Sequence, residues 1–133
     1  SENALEELID KAEQLVQGLG LHHQVSKLAA QDASASMAKT YDIEVWIPSM
    51  NEYKEVSSAS NASDYQARRG SIRLKRTKTG KNELVHTLNA SGLATSRIIP
   101  AIVEQFQNED GSVTIPEVLR PYLGGKEVFE PVE

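Results

Sequence analysis

Cysteine is absent from the sequence, and so are the segments that would place the chain in a membrane or outside the cell. Without thiols the chain can form neither disulfides nor thiolate metal sites, which favours a reducing compartment such as the cytoplasm. There is no run of about 20 apolar residues and no basic leader with an apolar middle, so we expect neither membrane insertion nor secretion. The formal net charge of −5 argues against nucleic-acid binding over the whole surface, because such binding needs cations that neutralise phosphates.

Three familiar motifs of nucleotide and metal chemistry are also missing. The sequence contains no GxGxxG loop, no GxxxxGK[ST] loop and no HExxH helix. His22 and His23 are adjacent and His86 is distant, a spacing that does not support a histidine metal site. A parallel-sheet nucleotide-binding fold is therefore disfavoured.

The pattern of apolar residues predicts a single domain of mixed helix and strand over residues 1–133. Helical spacing predicts an amphipathic helix within residues 1–20 and a second long helix over residues 93–106. Alternating residues predict strands over 40–48, 52–58, 71–76 and 83–89, with a further strand within 22–30 and a short helix over 61–69. Strands joined as hairpins rather than by helical crossovers indicate an α+β fold, an antiparallel sheet with flanking helices.

The tail over residues 113–133 contains three prolines and two glycines, which predict an irregular path across the surface.

Two groups of residues in this pattern have candidate chemistry. Glu55 lies beside Ser57, Ser58 and Ser60, and a carboxylate next to hydroxyls can hold Mg²⁺ and through it nucleotide phosphates. Arg97 begins a largely apolar helix, where its guanidinium can bind a phosphate through two hydrogen bonds. Each group also has a plainer interpretation, a solvated strand face for the first and a surface ion pair for the second.

One stretch is strongly basic in an otherwise acidic chain. Such a stretch can follow a phosphate backbone, but it lacks interleaved aromatic residues, which favours a solvated hairpin. The cations are Arg68, Arg69, Arg73, Lys75, Arg76, Lys78 and Lys81.

The order of several strings resembles consecutive segments of bacterial-type seryl-tRNA synthetases, over about two thirds of the chain. The strings are KTYDIEVWIPSMNEYKEVSSASN, YQARR, HTLNASGLATSR and VTIPEVLRPYLGGKEVFEP. LNASGLATSR is similar to motif 3 of the class II synthetases, in which a strand of small residues leads into a helix that carries an arginine. The EVSS and IPEVLRPYLGG strings give the resemblance its serine-specific character.

The resemblance implies the carboxy-terminal half of a synthetase catalytic domain, with sheet hairpins at 40–91, the motif 3 helix at 92–107 and the tail at 113–133. It implies that the parent enzyme activates serine with ATP and transfers it to tRNA(Ser), as a cytoplasmic homodimer. It also implies roles at seven positions: ATP contacts at Glu55, Val56, Ser57, Ser58 and Arg97, with Mg²⁺ held by Glu55 and Ser58, catalysis by Arg97 and Glu55, and serine contacts at Asn89 and Ser91.

The sequence departs from the family pattern at three places. Gln31, Asp32, Ala33 and Ser34 stand where a Gly-Asp-x-Gly turn is usual, Ala59 replaces a common cysteine, and Ala90 replaces a frequent glycine. No segment resembles motif 1, motif 2 or the coiled-coil arm, so we expect a fragment that is inactive alone. The alternative is a non-catalytic, synthetase-like binding or structural protein.

Overall fold

The computed structural model describes residues 1–29 and 34–132. Its centre is a four-stranded antiparallel sheet with two helices packed against one face. The strands of this sheet lie in the order β1 (His23–Lys27), β2 (Lys39–Ile47), β3 (Glu52–Asn61) and β6 (Leu88–Ala90). Two small two-stranded sheets accompany it, β4 (Arg73–Lys75) with β5 (Asn82–Leu84) and β7 (Val113–Thr114) with β8 (Val128–Phe129). The predicted α+β class is confirmed. The helices are α1 (Glu2–Gly18), α2 (Tyr65–Gly70) and α3 (Thr95–Gln105).

Helix α1 forms because its apolar residues recur every three or four positions and so share one face. Leu5, Ile9, Ala12 and Val16 are buried against the sheet, while the residues between them are mostly exposed. The chain then turns at Gly20, whose φ of 72° lies in the region that glycine adopts without strain. The predicted amphipathic helix is confirmed.

The β2–β3 hairpin supplies the centre of the sheet. Pro48 begins a single 3₁₀ turn, and Asn51 closes it with a φ of 49°, a left-handed conformation that asparagine tolerates. Along β2, Ile43, Val45 and Ile47 point towards the helices and are almost fully buried. Helix α3 covers the same face, where Ile98 and Ala101 join this core.

Two predicted elements differ from the structure. The run 83–89 was expected to be one strand, but β5 pairs with β4 and β6 pairs with β3, in different sheets. The residues between β5 and β6 belong to neither strand pairing. The Val85 N–H donates to the Ile72 carbonyl instead, and the Thr87 N–H donates to the Ser63 carbonyl. The helix expected over 61–69 is shorter, since Asn61 still belongs to β3 and its side chain accepts a hydrogen bond from the Ser63 N–H.

The predicted irregular tail contains the small β7–β8 sheet and a 3₁₀ segment, Glu117–Leu123, from which Leu119 packs on the main core. Among the described residues, no helix is both long enough and apolar enough to cross a bilayer.

Candidate active site

The predicted site residues come from two neighbouring strands and the helix that follows them. In the β3–β6 pair, Ser60 lies opposite Asn89 and Ala59 lies opposite Ala90. Ser91 follows at the end of β6, in the connection to α3. The antiparallel pairing of β3 with β6 therefore brings together residues that are about 30 positions apart in the chain.

The sheet has one face covered by helices and one that carries acidic and hydroxyl side chains. Successive side chains of a strand point to opposite faces, so Asp42 and Glu44 face away from the core that contains Ile43. In the β2–β3 register, Asp42 lies opposite Ser58 and Glu44 lies opposite Glu55. Residues that face each other across an antiparallel pair share a face, so these four side chains lie on the same side of the sheet.

A β-bulge in β3 interrupts this alternation beside the predicted metal residues. The register shifts between Ile43 and Glu44, which leaves Val56 as the extra residue of β3. Because of the bulge, Val56 and Ser57 are both buried, each only 1% exposed. Val56 and Ser57 were expected to contact ATP, and with buried side chains such contacts would have to be made by their backbone atoms.

The bulge also attaches β3 to the start of α3. The Ala94 N–H donates to the Val56 carbonyl at 2.6 Å, and the Arg97 guanidinium donates through Nη1 to the Glu55 carbonyl at 2.7 Å. The buried Ser57 hydroxyl donates to the Ser91 carbonyl at 2.7 Å, in the same connection. Three hydrogen bonds therefore hold the first turn of α3 and its predicted phosphate-binding arginine against the Glu55 strand.

Arg97 lines a hollow of about 270 Å³ between α3 and the β2–β3 hairpin. Lys54 lines the same hollow and forms an ion pair with Glu52 at 2.8 Å. This ion pair offsets the charge of Lys54, so Arg97 supplies the positive charge that suits the hollow to a phosphate. The sequence did not identify Lys54 as part of this hollow, because no sequence pattern distinguishes a ligand-binding lysine on an exposed hairpin strand from a lysine that only contacts solvent.

Helix α3 is also fixed at its other end. Both the backbone N–H and the hydroxyl of Ser49 donate to the Glu104 carboxylate, at 2.9 and 2.7 Å. These hydrogen bonds favour the ionised form and hold the pKa of Glu104 below its usual value. The carboxylate links α3 to the turn of the β2–β3 hairpin, so the helix that carries Arg97 is attached to the sheet at both ends.

Asp42 is the functional candidate that sequence reasoning missed. It is 6% exposed, and within the described part of the chain its Oδ1 is buried without a hydrogen-bond partner. A buried, unpaired carboxylate oxygen costs free energy, which makes it a candidate position for a bound ion or water. The alternation of β2 already placed Asp42 opposite the apolar face, but burial depends on neighbouring strands that sequence periodicity does not reveal.

Two of the departures from the family pattern face each other in the structure. Ala59 and Ala90 are cross-strand partners on the helix-covered face, and Ala59 is fully buried. Two small side chains there allow α1, which contacts both β3 and β6, to pack closely on the sheet. The third departure lies at Gln31, Asp32 and Ala33, outside the described residues, and at Ser34.

Comparison with known proteins identifies the fold and its relatives. Residues 1–106 match the family model described as tRNA synthetase class II core domain (G, H, P, S and T). Serine–tRNA ligase 2 of Clostridium acetobutylicum is 74% identical over 124 residues, which are 93% of this chain and 29% of that protein. Serine–tRNA ligase of Cellvibrio japonicus is 55% identical over 133 residues, all of this chain and 31% of that protein.

Solved structures of seryl-tRNA synthetases are also similar to this chain. The seryl-tRNA synthetase of Pyrococcus horikoshii complexed with ATP superposes with a TM-score of 0.94 at 44% identity, over all of this chain and 30% of that one. The cytoplasmic serine-tRNA ligase of Naegleria fowleri in complex with AMP gives 0.88 at 35% identity, over 98% of this chain and 30% of that one. The chain spans about 30% of the length of the relatives it matches.

Proposed function

We propose that this chain, which belongs to the family of class II tRNA synthetase core domains, supplies the carboxy-terminal part of the site where a seryl-tRNA synthetase activates serine with ATP. Its similarity to serine–tRNA ligases over 93% and 100% of its length supports the choice of serine. The relatives solved with ATP and AMP support the choice of nucleotide. Since the chain spans about 30% of these relatives, the remaining site residues would come from the rest of the enzyme.

The observation that carries the proposal is the contact between Arg97 and the β3 strand. The guanidinium is held 2.7 Å from the backbone carbonyl of Glu55, the residue whose carboxylate we expect to hold a nucleotide-bound cation. Arginine matches phosphate oxygens through two hydrogen bonds, and it remains charged at any relevant pH. We assign Arg97 to the terminal phosphate, Glu55 and Ser58 to the cation, and Asn89 and Ser91 to serine.

The residues on the open face of the sheet fit a magnesium ion. Glu44 and Glu55 face each other across β2 and β3, an arrangement of like charges that is unfavourable unless a cation or donor lies near. Gln24 donates to Glu44 at 2.7 Å and offsets part of this repulsion, whereas the buried Oδ1 of Asp42, opposite Ser58, has no hydrogen bond within the described residues. In residues 1–29 and 34–132 no group of three or more carboxylate or imidazole side chains is arranged to hold a metal unaided.

That arrangement agrees with how Mg²⁺ binds nucleotides, through one or two carboxylates together with phosphate oxygens and water. Glu55 and Ser58 would hold the Mg²⁺, and Asp42, which lies opposite Ser58, would be a further oxygen donor. When bound, Mg²⁺ neutralises charge on the phosphates.

The proposed reaction has two steps. A serine carboxylate oxygen attacks the α-phosphorus of ATP, the bond to the β-phosphate oxygen breaks, and seryl-adenylate and pyrophosphate result. The terminal hydroxyl of the tRNA then attacks the seryl acyl carbon, and AMP leaves. In the first step Arg97 holds the departing phosphates, and in both steps Asn89 and Ser91 orient the seryl group.

The partners follow from this reaction. They are serine, ATP and tRNA(Ser). A homodimeric parent enzyme in the cytoplasm is proposed separately, from the resemblance to seryl-tRNA synthetases. The second candidate function, a synthetase-like protein without catalysis, is favoured only by the departure at residues 31–34.

A charging assay separates the two functions. The enzyme that carries this chain is incubated with ATP, Mg²⁺, tRNA and labelled serine, threonine or alanine in parallel. We expect serine alone to be attached to tRNA. A folded enzyme that charges none of the three would favour the non-catalytic alternative, and preference for threonine or alanine would contradict the assignment of serine.

A further inference from the structure

Residues 64–83, which we call the basic segment, have a charge opposite to that of the rest of the chain. The segment contains α2 and the β4–β5 hairpin except the last residue of β5, Leu84. It carries seven of the 14 lysines and arginines and two of the 19 acidic residues, so its formal charge is +5 while the other 113 residues carry −10. All seven cations are exposed. Such a separation of charge creates a local positive field on an acidic protein.

The two acidic residues of the segment neutralise only two of these cations. Asp64 pairs with Arg68 at 2.6 Å, and Glu83 pairs with Arg76 at 2.8 Å. Arg69 lies over the Tyr65 ring, 4.6 Å from its centroid. The remaining four cations have no ion pair within 4 Å in residues 1–29 and 34–132; they are Arg73, Lys75, Lys78 and Lys81.

The register of the hairpin places two of these cations on one face. Arg73 lies opposite Leu84 and Lys75 lies opposite Asn82, so no acidic residue faces either of them. Arg73 and Lys75 are separated by two positions on β4, so their side chains point to the same face. Their positions lie about 7 Å apart along the strand. This distance is close to the spacing of successive phosphates in a nucleic-acid strand, and β4 and β5 form a sheet separate from the main one.

The basic segment leaves the main sheet at a defined end of the candidate site. It lies within the connection between the last residue of β3, Asn61, and the first residue of β6, Leu88, which are register partners. Asn89 lies next to this end, whereas Glu55 is five residues further along β3 from Ser60, about 16 Å away. The segment therefore lies nearer the serine end of the site than the triphosphate end, as these ends are assigned in the proposed function.

We propose that the basic segment binds the phosphate backbone of the tRNA near its acceptor end. The inference rests on the proposed function, in which the terminal hydroxyl of the tRNA must reach the seryl carbon, so the RNA approaches at the serine end. Lysines and arginines that contact phosphates supply affinity without reading sequence. Binding through the segment is therefore salt-dependent and similar for different tRNA sequences.

The test compares two triple variants of the enzyme that carries this chain. The first, R73Q/K75Q/K78Q, removes three unpaired cations of the basic segment. The control, K11Q/K27Q/K126Q, removes three exposed lysines elsewhere and so changes the net charge equally. The dissociation constant for a labelled tRNA transcript is measured by fluorescence anisotropy between about 50 and 200 mM salt, where phosphate contacts have their largest effect. Serine-dependent exchange of pyrophosphate into ATP, which needs no tRNA, is measured beside it.

We expect the first variant to bind tRNA at least about tenfold more weakly, with a salt slope smaller by about 2 to 3, and the control to stay within about twofold. Exchange should be unchanged in both. Unchanged affinity and slope in the first variant, or an equal loss in the control, would overturn the inference. If the unsubstituted enzyme binds tRNA through the segment yet shows no serine-dependent exchange, the inference stands and the proposed function fails.

Discussion

Replacing Arg97 with alanine should separate structural from catalytic contributions at this site. Within residues 1–29 and 34–132 the exposed guanidinium makes one hydrogen bond, to a neutral backbone carbonyl at 2.7 Å. Loss of such a bond costs about 0.5 to 1.5 kcal/mol of folding free energy, which leaves the fold intact. A charge-assisted, two-point contact with a phosphate in the transition state is worth more, about 2 to 4 kcal/mol. That range corresponds to a roughly 30- to 1,000-fold loss of kcat/KM.

The assay is serine-dependent pyrophosphate exchange in the full enzyme, with ATP and serine varied separately. R97A should lower kcat/KM for ATP by the stated factor and change serine binding little, and R97K should lie between, because it keeps the charge and loses the planar fork. R68A is the control, since its exposed pair with Asp64 contributes about 1 kcal/mol or less. The reasoning would be refuted by equal losses of ATP and serine affinity with turnover intact, or by a loss of activity that follows unfolding.

Three further predictions concern other residues of the site and its support. Ser57→Ala removes the buried hydrogen bond to the Ser91 carbonyl, and urea denaturation should show a loss of about 1 to 3 kcal/mol; no loss would contradict the structural role. The pKa of Glu104 is lowered in the folded state, so its stabilisation is present above the unfolded value near 4.5 and disappears as pH falls through the folded pKa. Between pH 6 and 3, Glu104→Gln should therefore flatten the fall of the melting temperature, and an unchanged profile would show that the link to Ser49 is inert. Asp42→Asn should raise the Mg²⁺ concentration needed for half-maximal exchange, whereas a lower melting temperature with an unchanged Mg²⁺ profile would make Asp42 purely structural.

Local periodicity was sufficient to predict the parts of the fold that depend on it. Helix α1, the β2–β3 hairpin and α3 each have their apolar residues on one face, and each lies where that pattern predicts. The division of residues 83–89 between two sheets could not be predicted in this way. It depends on which strand lies beside each half, a tertiary contact that a sequence alternation of period two does not specify.

The residues of the candidate site were also predicted only in part. The resemblance pointed to Glu55, Ser58 and Arg97, and the structure brings Arg97 to the backbone of Glu55. The bulge at Val56 could not be predicted, because a single extra residue in β3 shows only when the partner strand is known. The burial of Asp42 was missed for the same reason, since its environment is made by adjacent strands.

The central claim, that the β3 strand holds the nucleotide for serine activation, is tested most directly by serine-dependent exchange of pyrophosphate into ATP in an enzyme with Glu55→Ala. The matched control is Glu52→Ala on the same strand, whose carboxylate is half exposed and pairs with Lys54 at 2.8 Å. We predict that E55A loses at least about 100-fold in exchange, because a carboxylate that holds the phosphate-bound cation contributes several kcal/mol. E52A should stay within about threefold, as expected for a surface ion pair. Exchange in E55A equal to that of the unsubstituted enzyme would contradict the claim.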